Sequence, residues 1–97
     1  MRPSEVLEKN REAIREATKR FNAANPRVFG SVARGEDRPD SDLDILVDAL
    51  PGATLFDLGG LQYELEQIFP GTKVDLLTQG GLRAAMRDRI LSEARAI

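Results

Sequence analysis

The chain has 97 residues, with 14 basic and 16 acidic side chains and a formal net charge of −2 at neutral pH. That length supports one hydrophobic core, so a single domain over residues 1–97 is expected, without a separate substrate-binding domain. The near-balanced charge lacks the positive field with which a free-standing domain collects nucleic acid, so no direct nucleic-acid binding is expected.

Cysteine and histidine are both absent, which excludes disulfides, thiolate nucleophiles, imidazole bases and the common zinc sites. Carboxylates, hydroxyls, arginines and backbone amides must carry any chemistry. The first segment, MRPSEVLEKN, is charged where a secretory signal is apolar, and no apolar run approaches the ~20 residues of a membrane span. A soluble cytoplasmic protein with no membrane contact is the expectation.

From Ser4 to about Ala24, the positions Leu7, Ile14, Ala17 and Phe21 keep a helical period against a charged opposite face. Ser4 is the expected N-cap and Asn25-Pro26 the stop. RVFG then reads as a short strand ended by Gly30, SVAR as one or two helical turns, and Gly35 to Asp40 as a polar loop. DLDILVDA has the aliphatic and β-branched density of a buried strand, closed by Pro51-Gly52. Leu58, Leu61, Leu65 and Ile68 place a helix between Thr54 and Phe69, weakened in its first half by Gly59 and Gly60, at ~1 kcal/mol each against alanine. TKVDLLT is a third strand, and Leu82, Met86 and Ile90 mark a last helix running to the C-terminus. The expected order is αβαβαβα, an α/β (α+β) fold.

On a strand, Asp42 and Asp44 leave the same face with Cα atoms ~6.6 Å apart, whereas on a helix they would point ~200° apart. They can therefore grip one hard divalent ion or two adjacent ones; Mg²⁺ in particular shares its oxygen shell between one or two carboxylates and substrate phosphates. Turn and cap chemistry at Ser41-Asp42 is the competing explanation. Asp75, inside an aliphatic strand, is costly unless paired or metal-bound, and would join the other two carboxylates if the third strand lies beside the second. An ion pair from Asp75 to Lys73 or an arginine competes with that.

Gly30-Ser31, a glycine ending a strand and a serine opening a helical turn, offers free amides and a hydroxyl to phosphate, and its place about a dozen residues before the acidic strand suits a joint site; a plain turn is the competing explanation. Arg34 either reaches phosphate or pairs with Asp37 or Glu36. Other motifs fail on detail: DSDLDI opens like a calcium loop, but Ile45 and Pro51 occupy the positions of its glycine and bidentate glutamate. The glycines spell neither the dinucleotide fingerprint nor the P-loop.

The string Gly30-Ser31-Val32-Ala33-Arg34-Gly35, followed by Ser41-Asp42-Leu43-Asp44 and later by Asp75, resembles the nucleotidyltransferase superfamily typified by DNA polymerase beta. It is most similar to the minimal nucleotidyltransferases, the antitoxin partners of HEPN-domain ribonucleases, and the resemblance spans nearly the whole chain. It implies the nucleotidyltransferase fold, a small mixed sheet flanked by helices. It also implies that Asp42, Asp44 and Asp75 form a catalytic triad for two Mg²⁺ ions ~3.5–4 Å apart. Gly30 and Ser31 would hold the β- and γ-phosphates of ATP, with Arg34 and Ser41 also at the nucleotide.

The implied reaction is AMP transfer from ATP, with Asp75 able to take the acceptor's proton, to a hydroxyl of a HEPN toxin, tyrosine foremost, in a hetero-oligomer. A binding module that neutralises the toxin by covering it, and a transferase acting on a small molecule, are the alternatives. TQGGL after the third strand and Gly59-Gly60 depart from the family pattern and bear on the acceptor surface.

Overall fold

The computed structural model describes residues 1–97. Two short helices, α1 (Pro3–Lys9) and α2 (Arg11–Arg20), lead into β1 (Ala23–Phe29), α3 (Gly30–Arg34) and β2 (Leu43–Ala49). They are followed by α4 (Leu55–Ile68), β3 (Val74–Thr78), a 3₁₀ turn (Gln79–Gly81), α5 (Ala84–Glu93) and β4 (Arg95–Ala96). The four strands form one sheet in the order β3-β2-β1-β4. β1 is antiparallel to both β2 and β4, while β2 and β3 are parallel. The sheet is mixed, and α4 is the crossover that a parallel pair requires.

Alternation along β2 sorts the layers. Leu43, Ile45 and Val47 are fully buried in the main core with Ile14, Leu61, Leu65 and Phe69 from the helices. Leu46 faces the other way and packs with Phe29 and Ile90 in a smaller core beneath α5. One face of the sheet is thus covered by α1, α2 and α4, and the other only partly, by α5.

Several expectations from the sequence are corrected. The first helix is broken at Asn10, whose side-chain amide donates to the Val6 carbonyl at 2.8 Å and competes with backbone continuation. Ser4 is not its N-cap: Arg2 holds that position, Pro3 is the first helical residue, and the Glu5 carboxylate accepts the Arg2 N–H at 2.9 Å. The helical segment also ends at Arg20, short of Ala24, because Asn22 adopts a left-handed conformation at φ 58°. The first strand therefore starts at Ala23 and tolerates Pro26 through a bulge between Ala24 and Arg27.

The last helix stops at Glu93 instead of running to the C-terminus, since Arg95 and Ala96 pair with β1 and Ile97 N–H donates to Pro26 O at 3.0 Å. Leu82, expected on that helix, precedes it in extended conformation and packs against the smaller core. The order is ααβαβαβαβ.

Gly60 has a packing role. A Cβ there would lie 2.3 Å from Cε1 of Phe21, so the missing side chain seats that ring between α2 and α4. Gly59, beside it, faces open space.

Candidate active site

The parallel register of β2 and β3 sets Asp44 opposite Asp75. Since Leu43, Ile45 and Val47 point into the main core, Asp44 projects from the opposite face, toward the side partly covered by α5. Asp42 is exposed just before the strand. Asp75 is less buried than its aliphatic neighbours suggest: β3 is a sheet edge, and the Asp75 side chain is 40% exposed. Its nearest cation, Lys73, stands 3.9 Å away at the limit of ion pairing and in solvent.

These carboxylates repel one another. Burial first, then the charge of Asp75 and a hydrogen bond with it, and then Asp42, push the Asp44 carboxyl up to about 6, with Arg34 opposing. No three acidic side chains close into a ready-made metal cage. The donor set nevertheless fits a hard divalent cation: crowded carboxylate oxygens, one half-buried, open toward a space where phosphate oxygens could complete the shell.

Beyond Phe29, which pairs with Asp44 across β1 and β2, the chain turns into α3. Gly30 makes that turn at φ 72°, and a Cβ on it would lie 2.3 Å from Oδ2 of Asp44. Both the left-handed conformation and this contact require glycine. A cleft of about 360 Å³ opens here, and Gly30, Ser31, Arg34, Ser41, Asp42 and Asp44 all line it. Asp75 stands beside Asp44 but does not line the cleft.

Two of the expected nucleotide-binding residues are engaged with protein. The Arg34 guanidinium pairs with Glu36 at 2.7 Å and with Glu93 at 3.2 Å, and these carboxylates hold its pKa above the usual arginine value. Ser41 Oγ accepts the Arg38 N–H at 2.8 Å and so shapes the loop before β2. Asp37, offered by the sequence as a partner for Arg34, is buried and accepts the Ser4 N–H at 2.9 Å instead. Two charged residues that sequence reasoning missed, Arg89 and Glu93, also line the cleft, and Glu93 accepts the Gly30 N–H at 3.0 Å. No local signal could have found that contact, because its two residues are 63 positions apart.

A small mixed sheet carrying paired carboxylates beside a Gly-Ser turn defines a class of phosphate-transferring enzyme, and the family comparison agrees. The nucleotidyltransferase domain model matches residues 8–97, so the chain belongs to the nucleotidyltransferase family and is an enzyme of that class. It is 35% identical over 88 residues to the protein adenylyltransferase MntA of Thermococcus cleftensis, covering 91% of this chain and 85% of that one. It is 48% identical over 67 residues to a provisionally named protein adenylyltransferase of Methanocaldococcus jannaschii, covering 69% and 71%. A solved structure provisionally assigned as a minimal nucleotidyltransferase superposes with a TM-score of 0.86 at 44% identity, over 97% of this chain and 95% of that one. A toxin-antitoxin structure with AMP-PNP shares the fold at a TM-score of 0.74 and 19% identity, over 90% and 71%.

Proposed function

We propose that this enzyme transfers AMP from ATP to a tyrosine hydroxyl of a HEPN-type ribonuclease toxin and thereby acts as its antitoxin in the cytoplasm. The observation that carries the proposal is the placement of Asp44 abreast of Asp75 beside the cleft entered by Gly30 and Ser31. The relationship to MntA, itself a protein adenylyltransferase, supports a protein acceptor.

Asp42, Asp44 and Asp75 would hold Mg²⁺, which when bound supplies positive charge against the reacting phosphate and the departing pyrophosphate. The first amides of α3 have no intrahelical partner, so those of Ser31 and Val32, with the Ser31 hydroxyl and Arg34, bind the phosphates. The acceptor oxygen bonds to the α-phosphorus, the bond from that phosphorus to its β-bridging oxygen breaks, and pyrophosphate leaves with the electron pair. Asp75 takes the hydroxyl proton; its exposure on an edge strand leaves it accessible to a group presented by another protein. An adenylyl group on the toxin adds bulk and negative charge against RNA phosphates.

The test is to incubate the chain with ATP, Mg²⁺ and the protein encoded by the adjacent gene, separate the two, and record the partner's intact mass and RNase activity. AMP additions with lost RNase activity, both absent with Asp42→Asn, are expected. Unmodified partner, inhibited only while bound and equally by the variant, would establish the binding-module alternative.

A further inference from the structure

Glu93 ends α5, the helix over the carboxylate-bearing face of the sheet, and its two oxygens accept from two groups of the β1–α3 turn. Oε1 accepts the Gly30 N–H at 3.0 Å and Oε2 accepts the Arg34 guanidinium at 3.2 Å. Its position is unfavourable by helix electrostatics, because the C-terminal end of a helix repels an anion and the last turn of α5 has no basic residue to offset it. The Glu93 side chain is 20% exposed, so the cost is incurred in a partly desolvated place. Those interactions with the turn must offset it.

We infer that Glu93 is a positioning residue for the nucleotide, acting through Gly30 and Arg34. This rests on the nucleotidyltransferase reading of the cleft. Gly30 lies in a left-handed conformation with Asp44 against it, so a small rotation of the turn changes both the direction of the following amides and the room left for the Asp44 carboxylate. The Gly30 N–H is the turn's first free amide, and Glu93 fixes it from another element. The next two amides, of Ser31 and Val32, remain for phosphate.

Arg34 is 47% exposed and is also bound by Glu36, so without Glu93 its guanidinium has one partner, only two residues away in sequence. Glu93 keeps it at the wall of the cleft. A negative charge beside a phosphate site is tolerable here because Arg34 neutralises it. The opposing idea, that Glu93 competes with phosphate for these donors, predicts the reverse effect of its removal.

The test compares the wild-type chain, Glu93→Gln and Glu93→Ala by calorimetry with AMP-PNP and Mg²⁺, alongside KM and kcat for AMP transfer. Loss of a charge-assisted contact predicts that Glu93→Ala raises Kd and KM about tenfold with kcat changed less than about twofold. Glu93→Gln keeps an acceptor for Gly30 N–H, so it recovers part of the loss, leaving Kd about threefold above wild type. If Glu93→Ala does not fold, the isosteric Glu93→Gln carries the test by that threefold rise. Tighter binding, or unchanged Kd in the folded variants, overturns the inference while leaving the nucleotidyltransferase reading intact. Absence of AMP-PNP binding by wild type and variants alike overturns both.

Discussion

Asp44 and Asp75 occupy paired positions on adjacent parallel strands, and this juxtaposition, added to partial burial, costs Asp44 its ordinary acidity. Two carboxylates brought abreast on a small sheet work against folding and toward binding a cation. The site is therefore a place where stability and function can be separated by experiment.

Asp44→Asn is expected to raise thermal stability and abolish AMP transfer. The Asp44 pKa is raised to about 6 in the fold against about 3.9 unfolded, so the native state binds the extra proton between those values and ionisation destabilises it as pH rises. The penalty is complete above the folded pKa and vanishes below the unfolded one. With solvent screening discounted, Asn should gain about 1 kcal/mol at pH 7 in EDTA, a rise of several degrees in Tm, shrinking toward zero near pH 4. Melting curves for both proteins across that range test this; a Tm difference independent of pH would refute it.

On the proposed role of Asp75 as proton acceptor, Asp75→Asn should lower kcat by about a hundredfold or more, with a smaller effect on KM for ATP. Steady-state kinetics of AMP transfer measure the split. A variant with wild-type kcat would remove Asp75 from the reaction.

Gly30→Ala should destabilise the chain by about 1–3 kcal/mol and weaken nucleotide binding, because its Cβ meets the Asp44 carboxylate and the backbone is left-handed there. The double variant with Asp44→Ala relieves the clash but not the backbone strain. Denaturant melts of the two variants separate the contributions; equal stability of Gly30→Ala and wild type would contradict the described contact.

Gly59→Ala and Gly60→Ala should have opposite signs although they are neighbours on one helix. Alanine at Gly59 meets nothing and gains about 0.5–1 kcal/mol from helix propensity. At Gly60 the new methyl displaces the Phe21 ring, an overpacking cost of about 1–3 kcal/mol that outweighs the gain. Urea midpoints of the pair decide it, and parallel shifts would refute the packing role.

The second strand was legible because its pattern is dense and its alternation leaves only one face for Asp44, though it begins at Leu43 and leaves Asp42 just outside it. The neighbourhood of Asp75 was legible only conditionally, since sequence does not say which strands adjoin; the observed register supplies that. Two residues of β4 carry no periodicity, and their pairing with β1 depends on tertiary contact alone. The break at Asn10 was hidden because the apolar period continues through it, from Leu7 to Ile14. The glycine pair in α4 read as a propensity defect because the Phe21 ring that occupies the gap comes from a distant segment. Glu93 was silent for the same reason.

The parallel pairing of β2 with β3 also bears on the order of folding. A hairpin can zip from its turn, but these strands can meet only after the α4 crossover has formed and folded back, a slow, non-local closure. Asp44 and Asp75 are thus apart until that closure, and their repulsion opposes it. Refolding in EDTA should accordingly be faster at pH 5, where Asp44 can take up a proton as the two strands close, than at pH 7, and this difference should be lost in Asp44→Asn. Stopped-flow refolding of the two proteins would show whether the charge pair makes the carboxylate-bearing edge the last part of the sheet to assemble.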